Sequence, residues 1–164
     1  MRQQRHITWW QVAAAICAAG FFGLSAGPAA AQFPVQQPVP CTSFYGEPVQ
    51  YIADAGLNDV GMSTRYFGRP IIVLNPMVLQ RFAPLVQIWW QAHECGHHAL
   101  SPTMNSEVAA DCFATRALRD LGYIRSWADL EELMRELSTI PGNAFTGHLP
   151  GPMRAAQVRD CYYN

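Results

Sequence analysis

The sequence predicts an α+β domain in which a small sheet precedes a run of helices. Two observations carry that expectation. Stretches rich in β-branched and apolar residues, 49–53 (Val-Gln-Tyr-Ile-Ala) and 70–74 (Pro-Ile-Ile-Val-Leu), fall in the first half and read as strands. From Asn75 onward, apolar residues recur at helical spacing between capping signals. A third observation bounds the size. The chain has 164 residues, and segment 1–31 has the pattern of a signal peptide: Arg2 and Arg5, an apolar run over 12–24, then small residues ending in Ala29-x-Ala31. Thirteen apolar residues are too few to span a bilayer, which takes about 20. Cleavage after Ala31 leaves one domain's worth of chain.

Each element follows from local chemistry. Residues 32–48 hold Pro34, Pro38, Pro40 and Pro48 and read as an extended arm ahead of a domain over 49–164. Gly56, Asn58 and Gly61 mark the connection between the two strands. Asn75-Pro76 is an N-cap followed by Pro at the first helical position, and this short helix ends near Ala83 because Pro84 disfavours helix before it. The next helix runs from Pro84 to about Leu100 with Leu85, Ile88, Trp89, Ala92 and Gly96 on one side, a packing stripe. Asn105 or Ser106 caps a helix over about 107–121, stopped by Gly122. Ser126 caps another to about Thr139, with Glu131, Glu132, Arg135 and Glu136 on its solvated face. Gly151-Pro152 opens a last helix ending near Cys161. There are no internal repeats.

Composition removes several classes of function. All eleven basic residues are Arg, and two of them lie in the signal segment. The remainder sets nine Arg against twelve acids with no basic cluster, which excludes a phosphate-dominated nucleic-acid binder and a polybasic membrane patch. Hydrophobic residues make up 50% and charged ones 14%, so the chain is not disordered. Cys17 lies in the signal, leaving Cys41, Cys95, Cys112 and Cys161. An even number in an exported chain points to two disulfides, and spacing alone leaves three pairings open. The proximity of chain termini favours Cys41–Cys161 with Cys95–Cys112. The second bond would tie two helices together through a short loop, worth about 3 kcal/mol in the chain-entropy model.

The chemistry concentrates in His93-Glu94-Cys95-Gly96-His97. Two His at i and i+4 lie one above the other on a helix face, so both imidazoles reach a single zinc ion. Glu94 is rotated away from both and flanks the ion as a proton acceptor. Chance produces this pattern in a chain of this composition with an expectation of roughly 0.005. A zinc site that also does chemistry takes three protein ligands and keeps one open position. Glu107, at the start of the following helix, comes to the depth of His97 in an antiparallel hairpin. Asp111, one turn on, faces His93 and would hold its ring from behind. The competing assignment exchanges them and places Asp111 on the metal. His98 lies off the metal face and is not a ligand.

The pattern His93-Glu94-Cys95-Gly96-His97 followed by Glu107-Val108-Ala109-Ala110-Asp111 resembles the HExxH…ExxAD signature of gluzincin metallopeptidases. The nearest resemblance is to the HtpX and CAAX-prenyl-protease family, including its small periplasmic members. It covers residues 71–111 well and 148–159 more loosely. It implies a zincin-like fold with zinc on His93, His97 and Glu107, Glu94 as general base, and Asp111 behind a ligand. His148-Leu149-Pro150, followed by Arg154, looks like that family's His-Pro…Arg stretch. There a basic residue supports the transition state, which makes His148, and less so Arg154, an expected oxyanion donor. The chain differs from membrane-embedded relatives in having no spanning segment after residue 31, which argues against prenylated or membrane-protein substrates. Its short ligand spacing fits a reduced cleft.

The expectation is therefore an exported, periplasmic or secreted zinc endopeptidase acting on peptides or proteins. It uses no nucleic acid and makes no stable membrane insertion after signal cleavage. Residues 71–74 are expected as the edge strand that aligns the substrate. The alternative from another class is a non-catalytic, zinc-stabilised binding or chaperone-like module.

Overall fold

The computed structural model describes residues 38–143 and 147–164. The expected signal segment 1–31 and the start of the arm, 32–37, lie outside them. Among the described residues the chain forms three strands, β1 (Gln50–Ala53), β2 (Gly61–Tyr66) and β3 (Arg69–Leu74). Five helices follow: α1 (Pro76–Leu79), α2 (Pro84–Ala99), α3 (Glu107–Asp120), α4 (Trp127–Ser138) and α5 (Gly151–Tyr163). The class is α+β.

The sheet order is β1-β3-β2, with β1 parallel and β2 antiparallel to β3. This corrects two expectations. Residues 71–74 do not form an edge, because β3 lies in the centre with Pro70–Leu74 all buried. An unbroken apolar run belongs where both faces are covered. The edge facing the helices' chemistry is β2, from a stretch expected to be mostly connection. Its polar composition, Gly-Met-Ser-Thr-Arg-Tyr, suits a strand with one free side.

The helices begin where their caps dictate. Asn75 Oδ1 accepts from Met77 N and Val78 N, and α1 stops at Leu79, earlier than expected. Ser106, not Asn105, caps α3 through Ala109 N. Ser126 and Asp129 form a reciprocal capping box on α4. The hub is α2, which packs on β2, β3, α3 and α4, and buries Trp89 and Trp90. Its contact with α3 passes through Gly96, where a Cβ would stand 3.1 Å from Ala110 Cα and 3.2 Å from Phe113. Only glycine allows the two backbones that close.

The disulfides are Cys41–Cys95 and Cys112–Cys161, with Cα separations of 5.6 and 4.9 Å, in place of the expected Cys41–Cys161 and Cys95–Cys112. The reason is helical phase. Gly96 faces α3, so Cys95, 100° away, turns from α3 toward the arm, where Val39 and Cys41 are buried. Cys112 turns toward α5. The bonds span 54 and 49 residues, worth about 4 kcal/mol each by chain entropy. Residues 38–48 are thus part of the fold: Val39 O also accepts from Tyr51 Oη, and Val39 N donates to Gln91.

Candidate metal centre

His93 and His97 project from one face of α2, as their spacing requires. Glu107 occupies the first turn of α3, where the helix dipole favours an acid. His93 Nε2 and His97 Nε2 stand 3.2 Å apart. Glu107 Oε2 is 3.4 Å from His93 Nε2, and its Oε1 is 3.2 Å from His97 Nε2. A tetrahedral ion with zinc-length bonds requires donor atoms about 3.3 Å apart. The three side chains fit such an ion.

The far side of each imidazole faces a side-chain oxygen. His93 Nδ1 lies 2.8 Å from the buried Asp111 Oδ1, and a carboxylate there draws the proton to Nδ1. His97 Nδ1 pairs at 2.8 Å with Asn105 Oδ1. The Asn105 amide is fixed in turn, because its Nδ2 donates to His97 O, one of the last carbonyls of α2. With the proton on Nδ1 in each ring, both Nε2 atoms would present lone pairs to each other and to a carboxylate. Such a set calls for a cation. Burial pulls the His97 imidazole down, but bonds to Glu107 and Asn105 outweigh it and raise it. Glu107 is also buried enough to be pushed up, yet its bonds with His93 and His97 hold it well below the usual carboxylate range. Asp111 is not among the converging atoms, since it meets His93 at the nitrogen that faces away from Glu107. Glu107, not Asp111, is the acid whose oxygens converge with the two Nε2 atoms, in a group that could hold a metal ion.

Glu94 is fully buried beside this set. Ser63 Oγ lies 2.7 Å from Glu94 Oε2 and 2.6 Å from its main-chain oxygen, pinning β2 to α2. Gly61 makes room: a Cβ there would stand 2.9 Å from Glu94 Cγ and Oε1. His148 Nε2 is 3.5 Å from Glu94 Oε1, and its Nδ1 is 3.0 Å from Asp59 Oδ2. Burial lowers His148, but Asp59 and Glu94 overcome it and push it up to about 9. Burial works against Glu94 ionisation as well, and His148, His93 and Ser63 reverse that, leaving its carboxyl below the ordinary value. The pair is a carboxylate beside a protonated imidazole.

Arg154 stands elsewhere than the expectation placed it. It is fully buried behind Glu107 and Asp111, not at the cleft. Nη2 donates to Glu107 Oε2 at 2.9 Å, Nη1 lies 3.3 Å from Asp111 Oδ1, and Nε donates to Leu149 O. The guanidinium covers Trp90 at 4.6 Å from its ring centroid. It cannot meet a substrate; it neutralises two acids from the inside. His98 is off the metal face, as its phase requires, and bonds Ile71 O through Nε2.

The donors open onto a cleft of about 400 Å³ lined by residues 61–65 of β2, Glu94, His97, His98, Asn105, Glu107 and His148. Sequence reasoning missed Asp59, Ser63 and the contact of Asn105 with the His97 ring. Asp59 and Ser63 carry no local signal, because α2 and His148 reach them only through tertiary packing. Asn105 did have one: it is a side-chain acceptor just past the end of the helix that bears His97.

Comparisons with known protein families, with characterised proteins and with solved structures returned no match.

Proposed function

We propose that the chain is a zinc-dependent endopeptidase of zincin-like architecture, akin to the small exported members of the HtpX and CAAX-prenyl-protease family. One observation carries the reading: two imidazole nitrogens and a carboxylate converge at 3.2–3.4 Å, the spacing of a tetrahedral ion's edges, with a buried carboxylate beside them. His93, His97 and Glu107 would hold the zinc. Once bound, the ion supplies a Lewis acid for the scissile carbonyl and acidifies a water. Everything else is done by side chains. Glu94, ionised and fixed by Ser63, takes the proton of the attacking water and delivers it to the leaving amine. His148, held protonated and aimed by Asp59, offers Nε2–H to the oxyanion as charge develops. The free side of β2 supplies main-chain pairing for an extended peptide.

Two disulfides fit the oxidising compartment that the signal-like segment implies. Among the described residues no helix is long and apolar enough to cross a membrane. An exported or periplasmic location accords with both.

The test is Glu94→Gln. It should keep one zinc per chain by metal analysis while casein or peptide cleavage falls 10²–10⁴-fold, the usual worth of a general base. Wild-type cleavage should stop on adding a chelator and return with zinc. Undiminished cleavage by the variant, or a wild-type chain that takes up no zinc, overturns the reading.

A further inference from the structure

The turn joining β2 to β3 carries a contradiction. Phe67 has φ of 47° and Gly68 φ of 79°, so both central residues are left-handed. Such hairpin turns favour Asn, Asp or Gly at both positions, and a bulky aromatic there is strained. Buried contacts could offset the strain, but the Phe67 side chain makes almost none, being 89% exposed. The described residues cover little of this side chain. Its neighbour Tyr66, packed edge-on at 4.5 Å, is 63% exposed. Across from them Phe44 and Tyr45 are 54% and 67% exposed. Arg65 joins the two aromatic pairs, bonding Glu47 and Gly68 O while lying 5.9 Å from the Tyr45 ring centroid.

This aromatic rim continues the cleft. Arg65 and His98 both line the cleft, and Phe44 N donates to His98 O. The route between them is β2, whose outer side has no strand partner among the described residues. Gly61, at one end, touches the Glu94 position; Tyr66, at the other, begins the rim. At about 3.3 Å per residue that is roughly 17 Å, or five residues of an extended chain.

We infer that Tyr66 and Phe67, with Phe44 and Tyr45, form a capture site for apolar or aromatic side chains of an extended polypeptide lying along β2, about five residues from the bond that is cut. The inference rests on the peptidase reading and names the substrate class: unfolded or extended segments with a hydrophobic residue at a distance from the scissile bond. A lipid surface is the weaker occupant, because Glu47 neutralises the adjacent Arg65 and no basic cluster accompanies the aromatics.

The experiment compares two peptides spanning about six residues on each side of one scissile bond, with Phe or with Ser at both distal positions. Wild type should show a KM about tenfold lower for the Phe peptide, the size of one aromatic contact. Phe67→Asn suits the left-handed turn, so its melting temperature should equal or exceed wild type while the two peptides become equivalent. Equal KM values for wild type, or a melting temperature lowered by Phe67→Asn, overturn the inference. So does vesicle binding that Phe67→Asn abolishes while the peptide preference persists. If neither peptide is cut, the peptidase reading fails, and fluorescence anisotropy with Glu94→Gln decides the capture site separately. Tighter binding of the Phe peptide supports it, and equal binding overturns it.

Discussion

His93 and His97 stand one turn apart on the same helix and offer the same nitrogen to the same point, yet the two halves of the centre are built differently. The inner half is a piece of core: His93 backs onto Asp111, Asp111 onto Arg154, and Arg154 onto Trp90, all four fully buried. The outer half is a loop surface. His97 leans on the neutral amide of Asn105, which is exposed and folds back on the end of α2. The inner support is a buried Asp111–Arg154 ion pair held between the His93 imidazole and the Trp90 ring. The outer support is a single neutral side chain whose two contacts water can partly replace. Damage to the first should therefore reach the fold, and damage to the second should stop at the metal.

The strongest way to break that distinction is Arg154→Met. Methionine roughly fills the space but leaves Glu107 and Asp111 without their buried counter-charge. Losing one member of a buried ion pair costs about 3–5 kcal/mol. Urea unfolding of the metal-free protein should show the loss, so that it does not depend on metal affinity. A change below about 1 kcal/mol means that Arg154 is not what compensates the acids, and the inner half is no more structural than the outer.

How far each half could be read from sequence follows the same division. His93, Glu94, His97, Glu107 and Asp111 all sit on two consecutive helices, so the 3.6-residue period and one short loop bring them together. Helix caps at Asn75 and Ser126 were equally legible, being local, and the cap of α3 was narrowed to Asn105 or Ser106. What was not legible depended on long-range packing. The strand at 61–66 has neither alternation nor an apolar run, and only its pairing with β3 makes it a strand. Cys95 could be placed on the face opposite the ligands, but not against Cys41, because nothing in an arm rich in Pro says where it packs. Arg154 looked like a donor to substrate because its spacing after His148 matched a pattern. Its depth of burial is a property of α5 packing on α3.

His148 stands between the halves and gives a middle-sized effect. In the metal-free protein its imidazole is raised to about 9 by Asp59 and Glu94 against the pull of burial. A folded-state value above the unfolded one, near 6.5, favours the protonated folded form. That stabilisation is complete below pH 6.5 and disappears as pH rises through 9. Its size is on the order of 1–3 kcal/mol. Stability of the metal-free chain should fall across this window, and His148→Gln should flatten part of the slope. A slope unchanged by the substitution means that Asp59 and Glu94 do not hold the proton on His148 in the folded state.

The smallest effect on the fold, and the sharpest separation of the halves, is expected from Asn105→Ala. The substitution removes the acceptor that orients His97 Nδ1 and the donor to the main-chain oxygen of the same residue. Because Asn105 is exposed, water can satisfy that oxygen, so stability of the metal-free protein should change by only about 0.5 kcal/mol. The imidazole, however, is then free to turn, and ligand orientation of this kind is worth about 10–100-fold in metal affinity. Competition with a chromophoric zinc chelator should show that weakening while the urea midpoint of the metal-free chain stays in place. Asn105→Asp is the informative control: it keeps an oxygen toward Nδ1 and should recover most of the affinity. If Asn105→Ala binds zinc as wild type does, His97 is held by α2 alone. If it unfolds the chain, the outer half is as much a part of the core as the inner.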